Sequence, residues 1–284
     1  MVKKAHFVTG KGGVGKSLIA AVLARALSLK SQQILLAELS ESSFYQDFFS
    51  LPAINYKPTA WIQNVDICQW SGSDCLKEYA LYLLKIERIY KLFFENPVTR
   101  SLVQVAPGLQ ELAILGKVTS SPRKQGPPMR YDQIVVDSFA TGHFLSLMQA
   151  PRGMAEAVQF GPMGVQSRSI DTYFRNPDFT EIHVVTTSEE LPITETLELC
   201  ASIKEFFSIT PKVYLNRLFN LTQKDISEIN SQAQEFLQLQ IENEVQAKKT
   251  LQKNGLAFVE LPLVANLDVE IIMTSLLPIL RNQI

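Results

Sequence analysis

Apolar residues fall along this chain in two recurring patterns, short continuous runs and stretches with the 3.6-residue period of a helix. The runs Ala5 to Val8, Gln33 to Glu38, Gln133 to Asp137, Glu181 to Thr187, Lys212 to Arg217 and Ala257 to Leu263 have the length and composition of buried strands. Val65 to Trp70 alternates weakly and predicts one more. Between the first two runs, Ile19, Val22, Leu23, Ala26 and Leu27 give a helix beginning at Leu18 one apolar face, with Arg25 and Lys30 outside. Leu76, Tyr79, Ala80, Leu83, Leu84, Ile86, Tyr90 and Phe93 predict a helix over 75–94, and 103–117 predicts another with a proline start. Ser120 to Arg130, with Pro122, Gly126, Pro127 and Pro128, reads as a loop whose Arg123 and Lys124 are solvated. Leu221 to Lys249 is polar and helix-prone, so it is expected on the outside; Val269 to Leu280 closes the chain as an apolar helix. Strand and helix in alternation predict an α/β fold with a doubly wound, mainly parallel sheet. A single domain over 1–284 is expected, with helical elements inserted at about 74–118 and 143–180.

Thr9 to Ser17 lies between the first strand and the first helix. Gly10, Gly15, Lys16 and Ser17 satisfy the G-x-x-x-x-G-K-[ST] pattern of a phosphate-binding loop. Glycines let successive backbone N–H groups converge on phosphate oxygens without Cβ clashes, and the helix N-terminus behind them adds partial positive charge. Residues Gly10, Lys11, Gly12, Gly13, Val14, Gly15, Lys16 and Ser17 are therefore expected to bind nucleotide, Lys16 on the β/γ-phosphates and Ser17 on Mg²⁺. An ordinary loop of this kind does not require Lys11, which adds a second positive charge where phosphates would lie.

Two further acids end strands at the carboxyl edge, where such sheets place their ligand chemistry. Glu38 reads either as a catalytic group or as an ordinary strand-end acid. Asp137 stands where a P-loop enzyme holds Mg²⁺ and senses the γ-phosphate.

Composition narrows the class. The chain has 284 residues, 46% of them hydrophobic and 19% charged, with a net charge of −1, so it can bury a substantial core and carries no global charge to attract nucleic acid. No apolar run reaches the roughly 18–20 residues that span a bilayer. The first strand begins so near Met1 that no cleavable signal is expected before it, and a cytoplasmic protein is expected. Cys68, Cys75 and Cys200 lack C-x-x-C spacing and read as structural thiols rather than a disulfide framework or a paired-cysteine zinc site.

Lys11 to Ser17 resembles the K-G-G-x-G-K-[ST] pattern of the deviant Walker A P-loop ATPases. In that group the first lysine typically reaches nucleotide held by the other subunit, which implies a nucleotide-sandwich dimer, either a homodimer or a heterodimer with a related subunit. Asp137 to Leu145 resembles the D-T-A-P-T-G-H-T-L switch II of the arsenical-pump and tail-anchored-protein targeting ATPases, with Ser138-Phe139-Ala140 replacing the T-A-P triplet. His143 falls on that motif's histidine and reads equally as a helix-start residue. Pro107 to Lys117 resembles the P-G-x-x-E-x-x-x-L-G-K helix of bacterial members, and Glu189 to Thr196 their E-E-L-P-x-x-E-T stretch.

The resemblance implies a P-loop fold with an inserted helical region, an ATPase using ATP and Mg²⁺, and an apolar protein client. It implies that Lys11, Lys16, Glu38 and Asp137 are catalytic, that Ser17 and Asp137 are magnesium-linked, and that Asn216 and Pro262 flank the adenine. Where the family has D-P-A-H, this chain has Glu38-Leu39-Ser40-Glu41, so a carboxylate displaced by one methylene, or a shifted Glu41 or Asp47, would have to orient water. Two alternatives follow: a nucleotide-binding dimer without turnover, or a positioning ATPase like MinD or ParA, against which the few basic residues after Val269 argue. No cysteine pair matches the family's metalloid site, so arsenite efflux is not expected. Met148, Met154 and Met163, among glycines, are either core residues or part of a repacking client surface.

Overall fold

In the computed structural model, residues 2–30, 32–84, 108–222, 225 and 231–284 are described. The later part of the expected 75–94 helix, residues 103–107, and 223–224 and 226–230 lie outside them.

Eight strands form one sheet in the order β3-β4-β2-β5-β1-β6-β7-β8. They are β1 (Lys4–Gly10), β2 (Ile34–Leu39), β3 (Thr59–Ile62), β4 (Val65–Trp70), β5 (Gln133–Ala140), β6 (Thr180–Thr186), β7 (Lys212–Leu218) and β8 (Phe258–Pro262). All neighbours are parallel except β3 and β4. The sequence pattern did not predict β3: Thr59-Ala60-Trp61-Ile62 is short, and its pairing with β4 is made by the turn through Asn64, whose φ is +64°. The strand expected over 133–137 runs on to Ala140, so Asp137 lies inside β5 rather than at its end.

Helices cover both faces. On one face α1 (Lys16–Ser28) and the closing α10 (Val269–Arg281) pack on each other and on the sheet, joined by α2 (Phe44–Phe48). Ile19, Leu23 and Leu27 are almost wholly buried there, each worth about 1.5–3 kcal/mol on removal from water. Asp268 caps α10 through its side chain, accepting from Glu270 N at 2.9 Å. On the other face, α3 (Gly72–Leu84), α4 (Leu109–Val118), α6 (Thr141–Ala157) and α7 (Gly161–Phe174) pack on one another. The polar helix α9 (Ser231–Lys253) lies against α8 (Glu190–Phe207), burying Ala247 and Leu251. Among the described residues no helix is long and apolar enough to cross a membrane.

The expected loop over 120–130 is corrected at its start, where Ser120–Arg123 forms the short helix α5. Its Arg123 is not solvated: the guanidinium is buried and donates to Thr119 Oγ1 (2.9 Å), the Gly116 carbonyl (2.9 Å) and Gln166 Oε1 (2.6 Å). A buried guanidinium is tolerated because its donors find acceptors, and here they tie α4, α5 and α7 together. The three cysteines are free and buried. Of the methionines singled out, Met148 is core and Met163 is exposed.

Candidate functional site

The loop from β1 to α1 is shaped by two glycines whose neighbours leave no room for a side chain. Gly10 has φ +140°, and a Cβ there would fall 2.1 Å from the Val185 carbonyl oxygen of β6. Gly15 has φ +97°, and its Cβ would meet Asn216 Nδ2 at 2.6 Å. Lys16 opens α1, and its Nζ turns back to donate to the Lys11 carbonyl at 3.1 Å, closing the loop on itself. Burial lowers the Lys16 pKa and the nearby Asp137 carboxylate opposes that shift.

A cleft of about 450 Å³, within the usual size of small-molecule sites, opens over this loop. It is lined by Gly13, Gly15, Lys16 and Ser17 of the loop, by Asn216 from β7 and Pro262 from β8, and by apolar side chains that include Phe44, Phe48 and Ile272. Distant parts of the chain thus meet because β7 and β8 run parallel beyond β6 on the same side of β1. Asn216 is buried and donates from Nδ2 to the Val14 carbonyl at 2.9 Å, so one of its amide hydrogens is committed to holding the loop.

The two acids lie side by side: Glu38 of β2 and Asp137 of β5 are Cα partners in the parallel ladder. Burial holds the Asp137 pKa up at about 6, against the hydroxyls of Ser17 and Tyr45; the Glu38 charge pushes it the same way as burial and Lys16 pulls it back. Tyr45, fully buried on α2, reaches both the Ser17 carbonyl (2.9 Å) and Asp137 Oδ2 (3.0 Å) with its hydroxyl. One phenolic proton serves both oxygens, so the first turn of α1 and the tip of β5 are linked through it. Ser17 and Asp137 together could offer hard oxygen donors to a Mg²⁺ ion.

Glu38 is differently employed. Its Oε2 accepts from Ser43 Oγ (2.7 Å) and its Oε1 from Phe44 N (2.7 Å), so the carboxylate caps the start of α2. Burial raises its pKa, and these hydrogen bonds act in the opposite direction. Glu41 and Asp47, the shifted candidates, lie outside this contact, and both are exposed, Asp47 on α2. His143 is exposed on the first turn of α6.

Lys11 does not project freely: it forms an ion pair with Glu195 Oε1 of α8, while Glu195 Oε2 accepts from Thr141 Oγ1 of α6 at 2.9 Å. Tyr45, Thr141 and Glu195 were not singled out as site residues from sequence. Glu195 lies in the Glu189 to Thr196 stretch, which marked it without assigning a partner. Nothing local distinguishes Tyr45 in the run Phe44, Tyr45, Phe48, Phe49.

Comparison with known proteins agrees with this geometry. A stretch of 221 residues is 28% identical to the ATPase BagA of Mycobacterium tuberculosis, covering 75% of this chain and 64% of that protein, so the chain spans less than two thirds of that relative's length. A putative arsenical pump-driving ATPase of Halobacterium salinarum is 31% identical over 51% of this chain and 23% of its own. An ATPase ASNA1 homolog of Plasmodium vivax is 30% identical over 54% of this chain and 38% of its own. The model of the anion-transporting ATPase family matches residues 3–161, more than half of the sequence and all of the P-loop, Glu38 and Asp137 regions, and the chain belongs to that family.

Proposed function

We propose that the protein is a Mg²⁺-dependent ATP-binding and ATP-hydrolysing dimer that couples nucleotide state to a partner or apolar client. The observation that carries this reading is one cleft lined both by Gly13, Gly15, Lys16 and Ser17 of the phosphate loop and by Asn216 and Pro262, the pair expected at the adenine. Backbone N–H groups from Gly12 to Ser17 and the Lys16 ammonium bind the phosphates, and Lys16 leaves the Lys11 carbonyl to do so. Ser17 and Asp137 fit Mg²⁺, which when bound supplies charge neutralisation on the phosphate oxygens. Asn216 keeps its second amide hydrogen and its carbonyl oxygen for the adenine edge. Lys11 exchanges Glu195 for nucleotide across the dimer. Tyr45 transmits the state of Asp137 to α1, and Thr9, whose Oγ1 donates to the Phe139 carbonyl at 2.9 Å, holds the following turn to β1. Exposed Phe160, which precedes α7, and exposed Met163 and Val165 within α7 support an apolar partner on the side that follows Asp137 in sequence.

One observation favours a second reading, a nucleotide-binding dimer with little turnover. Each oxygen of the Glu38 carboxylate already accepts a hydrogen bond, Oε2 from Ser43 and Oε1 from Phe44 N, which favours a structural use of this acid. Steady-state phosphate release from wild type, Lys11→Ala, Lys16→Ala and Glu38→Ala, beside thermal shifts with Mg²⁺ and ATP or ADP, tests both. Phosphate release lost in Lys16→Ala and Lys11→Ala supports the enzyme. Shifts without release above background in any protein would leave the binding dimer, and no shift with either nucleotide would overturn both.

A further inference from the structure

A second polar cluster lies within the sheet, four residues down β1 from the phosphate loop, about 13 Å away by strand rise. His6 of β1, Glu181 and His183 of β6 and Tyr214 of β7 share one face, and Gln133 of β5 joins them. His6 and His183 are almost wholly buried. A hydrophobic sheet between helices has no packing need for two imidazoles and a carboxylate at its centre.

We propose that His6 Nδ1, His183 Nε2 and Glu181 Oε1 form a binding site for a divalent transition-metal ion, of which Zn²⁺ fits best. The three atoms are 3.1 Å (His6 to His183), 3.3 Å (His183 to Glu181) and 3.8 Å (His6 to Glu181) apart. Zn²⁺ takes imidazole nitrogen and carboxylate oxygen at about 2.0–2.2 Å, which sets tetrahedral donor–donor edges of about 3.3–3.5 Å, the average of what is found. The circle through the three atoms has a radius of about 2.0 Å, so one ion touches all three at bonding distance without moving the strands.

The outer partners prepare this donor set. His6 Nε2 lies 2.6 Å from Gln133 Oε1, an atom that can only accept, so Nε2 carries the proton and Nδ1 turns its lone pair inward. Gln133 is itself held in that orientation, donating from Nε2 to Gln32 Oε1. His183 Nδ1 is 3.0 Å from the Tyr214 hydroxyl, which can accept its proton and free Nε2. Glu181 Oε1 is buried and forms an ion pair with Lys212 Nζ at 2.8 Å, an ammonium that also donates to the Gln283 carbonyl at 2.5 Å. The same oxygen also faces both imidazole nitrogens, so a metal ion bound there would share it with Lys212. The side chain of Glu181 is partly exposed between Lys4 and Lys212, which gives an ion its way in. Those two ammoniums oppose a dication and weaken the site without removing its donors.

The test does not depend on the nucleotide reading. Purified, chelator-treated protein is titrated with Co²⁺ and then Zn²⁺, in millimolar Mg²⁺ to occupy oxygen-rich sites, following visible absorption and thermal stability. One equivalent of Co²⁺ is expected to give the intense visible bands of four-coordinate geometry, to be displaced by Zn²⁺, and to raise the melting temperature. His183→Gln and His6→Gln should each weaken binding tenfold or more, and Lys16→Ala should leave it unchanged. Because a histidine variant can fail to fold, Lys212→Gln supplies the opposite sign: it removes a screened like charge and should tighten binding about threefold or more. Absence of the four-coordinate spectrum, or affinity that Lys212→Gln does not raise, overturns the proposal; retained nucleotide shifts in the same sample would show that the P-loop reading survives it.

Discussion

Lys11 of the phosphate loop and Glu195 of α8 are bound as an ion pair within one chain, and Glu195 also holds Thr141 at the first turn of α6. Both side chains are about a quarter exposed, 29% and 25%, so the pair is weak, roughly 0–1 kcal/mol. If Lys11 serves a neighbouring subunit's nucleotide, Glu195 competes for it. Glu195→Gln should raise the nucleotide-dependent dimer fraction in sedimentation, and phosphate release with it, by up to about fivefold. Lys11→Ala should lower phosphate release tenfold or more. Parallel losses in both variants would assign the pair to folding rather than to competition.

Tyr45 offers a separate check on the coupling between α1 and β5. Tyr45→Phe keeps the ring among its aromatic neighbours and removes only the hydroxyl, leaving Asp137 Oδ2 and the Ser17 carbonyl short of a donor. A cost of about 1–3 kcal/mol is expected in urea unfolding. The Mg²⁺-dependent part of the nucleotide shift should shrink as well, and an unchanged Mg²⁺ dependence would mean that the phenol only fills space.

Glu38 predicts a pH dependence whose sign follows from burial. Its folded pKa is raised above the ordinary 4.5, so the folded protein holds this proton more tightly than the unfolded chain. Its contribution therefore favours the folded state at low pH and is lost as pH rises from 4.5 through the raised value. Glu38→Gln, whose single carbonyl oxygen can still accept from Phe44 N while its amide donates to the Ser43 hydroxyl, should flatten that part of the stability profile and match or exceed wild type at neutral pH. Glu38→Ala removes the acceptor of the Phe44 N–H at the start of α2, leaving the Ser43 cap, and should destabilise by about 0.5–2 kcal/mol. Phosphate release equal to wild type in Glu38→Gln would exclude this carboxylate as the group that orients water.

Glycine substitutions separate folding from ligand crowding. Gly12 has no positive φ, and a Cβ added there would meet nothing within 4 Å, so Gly12→Ala should keep stability within about 1 kcal/mol. The new methyl would crowd a bound phosphate, and the nucleotide shift is expected to fall sharply. Gly10→Ala, pressed against the Val185 carbonyl, should lose folded protein altogether. A nucleotide shift that survives Gly12→Ala would place the phosphates elsewhere.

Much of this could be read from order along the chain. Most of the parallel strands were legible because strands covered on both faces read as short apolar runs, with β4 marked only by weak alternation, and the P-loop because close backbone approach to phosphate permits few residue types. Helix α1 followed from its periodicity alone. The hairpin strand β3 did not, since four residues of mixed polarity acquire strand character only from pairing with β4. The burial of Arg123 was hidden for a similar reason: a charged residue among prolines is solvated unless distant acceptors happen to surround it, and Gln166 is such an acceptor.

The sequence by itself determined the fold class, the phosphate loop and the position of Glu38 and Asp137 toward the carboxyl ends of strands, because these depend on local residue type and spacing. Only the tertiary structure decided that Glu38 caps α2, that Lys11 is held by Glu195, that Tyr45 joins Ser17 to Asp137, and that His6 meets His183 and Glu181. Each of those contacts joins elements brought together by the folding of the sheet and its connections, and spacing along a chain carries no record of which side chains will then stand face to face.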